Sequence, residues 1–172
     1  MKTSTDRLLK GAIGVLLGAL VLVIYFSIHE RVIGVGDRAP DFTITADDGH
    51  TVSRAGFEGK VLVLNFWATW CPPCVQEMPS LSAFQKTFAG AGVTVVGISV
   101  DQDERAYRAF LERMRPAFIT ARDPAARVNA DYGTFMYPET YIIGRNGRVA
   151  RKIVGKADWM DAGMTGYIRG LL

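Results

Sequence analysis

Residues 61–79 read VLVLNFWATWCPPCVQEMP. The first seven, Val61 to Trp67, are a nearly continuous apolar run, the pattern of a strand covered on both faces inside a parallel sheet. Beyond the cysteines, Met78, Leu81, Phe84 and Phe88 recur at helical spacing. Cys71-Pro72-Pro73-Cys74 therefore falls where a buried strand gives way to a helix. Proline suits the first helical position, and a residue that precedes proline is pushed out of the helical region. Both preferences put Cys71 at the helix N-cap and Cys74 one turn in. The partial positive charge of a helix N-terminus stabilises a thiolate. Cys71 then reads as the attacking nucleophile and Cys74 as the thiol that resolves the mixed disulfide.

Working outward, Val93 to Val100 is a second buried strand that ends at Asp101. Tyr107, Phe110, Leu111 and Met114 mark one face of a helix stopped by Pro116, and residues 117–120 suit a short strand. Tyr141-Ile142-Ile143 and Val149 to Val154 flank the turn Arg145-Asn146-Gly147, and Trp159, Gly163, Tyr167 and Leu171 outline a closing helix. Upstream, Phe42 to Thr45 and Thr51 to Ser53 flank Asp48-Gly49 as a hairpin. Two strands joined through a helix imply a right-handed crossover and a parallel pair. The closing hairpin adds antiparallel strands, which gives an α/β fold with a mixed central sheet flanked by helices.

The chain has 172 residues, 49% hydrophobic and 22% charged, a mix that suits a packed domain rather than disorder. Its net charge of +3 comes mostly from the N-terminus; from Gly34 onward there are 16 basic and 15 acidic side chains. No basic cluster of the kind a nucleic-acid interface needs is visible, so no nucleic-acid partner is expected. The two cysteines are the only ones, three positions apart. Such a pair closes a tiny loop and constrains the unfolded chain little, which makes a structural staple a poor explanation. Two thiolates are half of a tetrahedral zinc site, but the only histidines, His29 and His50, are distant in sequence. No metal and no other cofactor is expected. Peroxide chemistry on a single cysteine is a further alternative. The pattern of that chemistry has a proline seven positions and a Thr or Ser three positions before the cysteine, where this chain has Leu64 and Ala68.

Gly11 to Ile28 is an 18-residue run without a charge. As a helix it would span about 27 Å, close to the hydrocarbon core of a bilayer. Leu8 and Leu9 can extend it if Lys10 snorkels, and Tyr25 and Phe26 suit the interfacial belt. Lys2, Arg7 and Lys10 precede the run, so the positive-inside bias puts residues 1–10 in the cytoplasm and the domain outside. The competing reading is a cleaved signal peptide. The run is longer than a usual signal core, and Tyr25-Phe26-Ser27-Ile28-His29 offers no small-residue cleavage site. The expectation is a single-pass signal-anchor over residues 11–31, a linker over 32–37, and a domain over 38–172. The domain would be periplasmic or extracellular.

Asn65 to Pro79 resembles the active site of the TlpA/ResA/CcmG-type thioredoxin family. So do Val35-Gly36-Asp37-Arg38-Ala39-Pro40-Asp41-Phe42 at the start of the domain and Tyr137-Pro138-Glu139-Thr140 near its end. The resemblance runs from about Gly36 to the C-terminus. It implies a thioredoxin-like fold with an N-terminal β-hairpin extension and a thiol:disulfide oxidoreductase working through Cys71 and Cys74. It also implies that Pro138 is a cis-proline beside the dithiol, that the backbone of Tyr137 pairs with substrate, and that Trp70 shields the rim while Trp67 packs. Pro72 and Pro73 border the same substrate surface, and Pro79 matches a proline that kinks the active-site helix. Glu77 lies three residues after Cys74, and in ResA-like members a glutamate there carries protons for the cysteines. A partly buried carboxyl near a thiolate pair has a raised pKa, suited to acid–base work. A solvent-exposed helix glutamate is the competing reading. Asn65 stands where cytosolic thioredoxins carry a buried aspartate. Glu139 matches a glutamate that follows the cis-proline in CcmG-like members, which implies a substrate contact here, with an exposed strand residue as the alternative. The partners implied are disulfide-bearing proteins, including apocytochrome c or copper-delivery proteins, and a membrane electron donor of the DsbD or CcdA type.

Overall fold

The computed structural model describes residues 2–28 and 32–172, with side chains over 10–24 and 32–172. The chain divides into two compact units, Met1–Arg31 and Val32–Leu172. The first is helix α1, Lys2–Ile28, whose apolar side chains from Ile13 to Ile24 are exposed. Among the described residues, no helix is long and apolar enough to cross a membrane. The readings placed on the side chains of Lys2, Arg7, Leu8, Leu9, Tyr25 and Phe26, and on His29 to Arg31, lie outside the described residues.

The second unit is built on five strands: β3 (Val61–Trp67), β4 (Val93–Ser99), β5 (Ile119–Arg122), β6 (Glu139–Ile143) and β7 (Val149–Val154). Their order across the sheet is β5-β4-β3-β6-β7. β3 pairs parallel with β4, and β4 with β5, while β6 and β7 add antiparallel strands. β3 and β6 are buried at every position because both faces of the sheet are covered. On one face, Val61, Val63 and Trp67 join both cysteines, Met78, Leu81, Phe84, Phe88, Tyr107, Phe110 and Trp159. On the other, Leu62, Leu64 and Phe66 join Phe42, Val52, Tyr132, Tyr141 and Val149. Gly97 on β4 marks a close approach: an added Cβ would come within 2.8 Å of Phe118 Cε2 and 3.1 Å of Trp67 Nε1.

The helices are α2 (Pro72–Phe88), α3 (Glu104–Met114), α4 (Arg127–Asp131) and α5 (Ala162–Arg169). Asp103 caps α3 by accepting from the Ala106 N–H at 3.0 Å. At the other end Arg115 takes a left-handed conformation (φ 45°) before Pro116, which disfavours helix in the residue before it. β1 (Thr43–Thr45) and β2 (Thr51–Ser53) form a separate antiparallel ribbon. The ribbon is tied to the β5 side of the sheet, where Asp47 N–H donates to Thr120 O at 2.9 Å and Ala46 bridges Ala121. It thereby covers a strand edge that would otherwise expose unpaired backbone groups.

Two readings of the sequence are altered here. Residues 32–37 are built into the domain rather than strung before it. Ile33 is buried in the second core, and Gly36 N–H donates to Val149 O at 2.8 Å. The short strand after Pro116 lies at Ile119–Arg122 rather than 117–120, and the α4 turn that follows it carries no strong helical pattern in the sequence.

Candidate active site

Cys71 and Cys74 form a disulfide with an S–S distance of 2.15 Å. Cys71 is the N-cap of α2, with Pro72 and Pro73 in the first two helical positions. Helix N-termini present unpaired N–H groups, but proline has none to offer. The Cys74 N–H, 3.3 Å from Cys71 Sγ, is the one backbone donor of that first turn aimed at the sulfur. Cys71 keeps 5% of its surface exposed and Cys74 1%, so the N-cap sulfur is the more accessible of the two. Replacing Pro72 with glycine restores one N–H. The expected result is a lower Cys71 pKa in the reduced protein and a more oxidising couple, each read by titration of thiolate absorbance and by redox equilibration. An unchanged or raised pKa in Pro72→Gly would remove this role for the prolines.

The strand-to-helix turn is held from below by Asp101, at the C-terminal end of β4. Its buried carboxylate accepts from the Thr69 N–H at 2.9 Å, the Thr69 hydroxyl at 2.6 Å and the Ser99 hydroxyl at 2.6 Å. Two of these bonds come from Thr69 and fix the residue two positions before Cys71, while the third steadies the carboxyl group from β4. In the sequence Asp101 is legible only as a strand end. A lone aspartate after a β-strand carries no local signal of what it will hold.

Glu77 is buried on α2, with 3% of its surface exposed, rather than solvated on the helix surface. Asn65 Nδ2 donates to its Oε1 at 2.9 Å and the Ala157 N–H to its Oε2 at 3.1 Å. The same Asn65 amide donates to Thr140 Oγ1 at 2.8 Å, so it links β3, β6 and the active-site helix. Burial pushes the Glu77 pKa above the usual carboxylate value, and the bonds from Ala157 and Asn65 oppose the shift without cancelling it. Pro79 lies inside α2. Its missing N–H removes one intrahelical bond.

On the neighbouring rim, the Tyr137–Pro138 peptide bond is cis. The Trp70 ring is 63% exposed and meets Tyr137 edge-on, with centroids 5.8 Å apart. Tyr137 also packs against the core that contains both cysteines. The structure thus brings Trp70, Pro72, Pro73, Tyr137 and the disulfide to one region. Trp67, by contrast, is fully buried. Glu139 is neither an exposed strand residue nor presented for contact at the surface. Only 1% of it is exposed, and Oε1 pairs with Lys152 Nζ at 2.5 Å. Just before Tyr137, Phe135 (74% exposed) and Met136 (49%) stand free of any core. Two adjacent large apolar residues in a loop are their only signal in the sequence. Among the described residues, no group of three or more His, Cys, Asp or Glu side chains is placed to hold a metal.

A disulfide at the N-cap of the helix that follows the central strand of this fold defines a thiol-disulfide oxidoreductase, and this chain is one. It belongs to the AhpC/TSA family, whose model matches residues 35–152. The thiol-disulfide oxidoreductase ResA of Geobacillus kaustophilus (strain HTA426) is 34% identical over 143 residues, 82% of each chain. The thioredoxin-like protein YneN of Bacillus subtilis (strain 168) is 37% identical over 136 residues, 77% of this chain and 79% of that one. Among solved structures, that of a proposed thiol:disulfide interchange protein DsbE from Chlorobium tepidum superposes with a TM-score of 0.75 at 30% identity. The match covers 81% of this chain and 98% of that one.

Proposed function

We propose that this enzyme works as a reductase of protein disulfides outside the cytoplasm, held to the membrane by residues 11–31. The observation that carries the reductase reading is the donor-poor helix start. With prolines in the first two positions, Cys71 Sγ receives one backbone N–H of that turn, from Cys74. A thiolate stabilised so little makes the dithiol a ready electron donor and its disulfide a weak oxidant.

The Cys71 thiolate attacks one sulfur of the substrate disulfide, and the other sulfur leaves as a thiolate. Cys74, deprotonated, then attacks Cys71 Sγ, closes the internal disulfide and expels the second substrate sulfur. Two electrons pass from the dithiol to the substrate, which ends as two thiols. Glu77 accepts the proton that Cys74 gives up, a role suited to a buried carboxyl whose pKa is raised. Tyr137 pairs its backbone with the substrate chain beside Pro138, and Trp70, Pro72 and Pro73 line the contact.

The anchor rests on the uncharged run of residues 11–28 within α1 and on the cations before it. Reduction outside the cytoplasm runs against the redox poise of that compartment. The disulfide must then be reduced again by a membrane thiol donor of the DsbD or CcdA type. Apocytochrome c, whose Cys-x-x-Cys-His segment must be reduced to receive haem, is the substrate this reading favours. The proteins named ResA and DsbE to which the chain is similar support the same class of work. Substrate trapping with Cys74→Ser tests the assignment, since this variant cannot resolve the mixed disulfide. Capture of apocytochrome c is the expected result. Capture of a copper-delivery protein, or of a broad mixture, would replace it with a metallochaperone reductase or a general oxidase/reductase.

A further inference from the structure

Behind the Tyr137–Pro138 rim lies a buried polar chain that none of the roles above uses. Tyr137 OH donates to Asn129 Oδ1 at 3.0 Å, and Asn129 Nδ2 donates to Thr134 O at 2.7 Å. The Thr134 N–H in turn donates to Asn129 O at 3.0 Å. One residue of α4 therefore grips both ends of the segment Thr134–Tyr137, whose middle pair, Phe135 and Met136, is exposed. Asn129 itself is 7% exposed and Thr134 5%. The grip is backed by Tyr141, whose hydroxyl donates to Tyr132 O at 2.7 Å and accepts from Thr134 Oγ1 at 3.4 Å. Tyr141 is also held in place, with Lys152 Nζ 4.9 Å from its ring centre and Tyr132 packed edge-on at 5.0 Å.

We infer that Asn129 is a positioning residue for substrate docking: it holds the Thr134–Pro138 segment in the shape that receives a polypeptide, and it takes no part in the sulfur chemistry. The inference rests on the reading of Tyr137–Pro138 as the docking segment. Its physical basis is the double use of one amide. A buried side-chain amide can hold a loop in a single shape only if its donor and its acceptor are both satisfied, and both are satisfied here by the same loop. Beyond Tyr137, which packs against the cysteine core, the chain leads away from the reacting atoms. Tyr141 belongs to the core on the opposite face of the sheet from the cysteines. A small disulfide that needs only Cys71 Sγ should not sense it.

The test uses the full chain in detergent micelles with two substrates, insulin with dithiothreitol as electron donor and 5,5′-dithiobis(2-nitrobenzoate) with the protein reduced beforehand and freed of reductant, and the variants Asn129→Leu, Asn129→Ala and Pro138→Ala. Should the leucine variant fail to fold, the smaller alanine lets water reach the freed groups and keeps the comparison open. The expected result is a rise of about fivefold in KM for insulin in the Asn129 variants, the scale of one lost hydrogen bond. The kcat for insulin and the rate with the small disulfide should stay within about twofold. Pro138→Ala should also impair insulin turnover. If Pro138→Ala impairs insulin while the Asn129 variants do not, the inference is wrong and the docking reading stands. Equal losses on both substrates in the Asn129 variants would make Asn129 a general stabiliser and also overturn it. If Pro138→Ala leaves insulin turnover intact, the docking reading fails and takes the inference with it.

Discussion

Cys71→Ser is expected to bring protein-disulfide exchange down to the background rate of the reductant alone, a loss of at least about a thousandfold. Serine at the N-cap keeps the cap bond from the Cys74 N–H, so the helix start survives and the loss is chemical. Cys74→Ser should behave differently. Cys71, the more exposed sulfur, still attacks, but nothing closes the internal disulfide, and the enzyme stalls as a mixed disulfide after one event. Insulin reduction followed with both variants, together with non-reducing electrophoresis, separates the two outcomes. Stalled adducts in Cys71→Ser rather than in Cys74→Ser would reverse the assignment of nucleophile and resolving thiol.

The second large effect is expected at Glu77. Its carboxyl is buried beside Asn65 and the Ala157 N–H, with burial raising its pKa. If it takes the Cys74 proton, Glu77→Gln should slow resolution of the mixed disulfide by roughly 10²-fold, at the low end of what a positioned acid or base contributes. It should also remove one limb from the pH–rate profile. Stability carries an independent signature. A carboxyl whose folded pKa is raised favours the folded state fully below its unfolded pKa and loses that contribution as pH rises through the folded pKa. Wild type should therefore gain stability relative to Glu77→Gln as pH is lowered from neutral toward about 4, where unfolded glutamate titrates. Urea unfolding at several pH values reads this directly. A stability difference independent of pH would mean that the folded pKa of Glu77 is not raised above its unfolded value.

Much of this site was legible because its signals are local. Two prolines after a cysteine put Cys71 at the N-cap by backbone preference alone, and the spacing of Glu77 placed it on the face of α2 that bears Cys74. Its burial is implied by the resemblance to ResA-like proteins, but no local residue signals it. An isolated glutamate in a helix favours solvent, and what keeps Glu77 inside is an amide from β3 and a backbone N–H from residue 157, 80 positions away. Glu139 likewise read as a residue facing outward. Lys152, its partner from the adjacent strand, satisfies one oxygen and lets the carboxylate stay buried. Asp101 and Asn129 were missed for the same reason, since each acts through bonds to loops distant in space or unremarkable in sequence. Alternating and continuous apolar runs located β3, β4, β6 and β7. Helix α4 is five residues long and too short to show a period, so in the sequence its stretch reads as either helix or loop.

The most direct measurement of the central claim is the reduction potential of the Cys71–Cys74 couple in the full chain. It is obtained in detergent micelles by equilibration against dithiothreitol and glutathione buffers. The donor-poor start of α2 leads to a value below about −260 mV, on the reducing side of the glutathione poise measured by extraction. A value near about −120 mV, that of a strong protein oxidant, would contradict the reductase assignment and reverse the direction of electron flow proposed here.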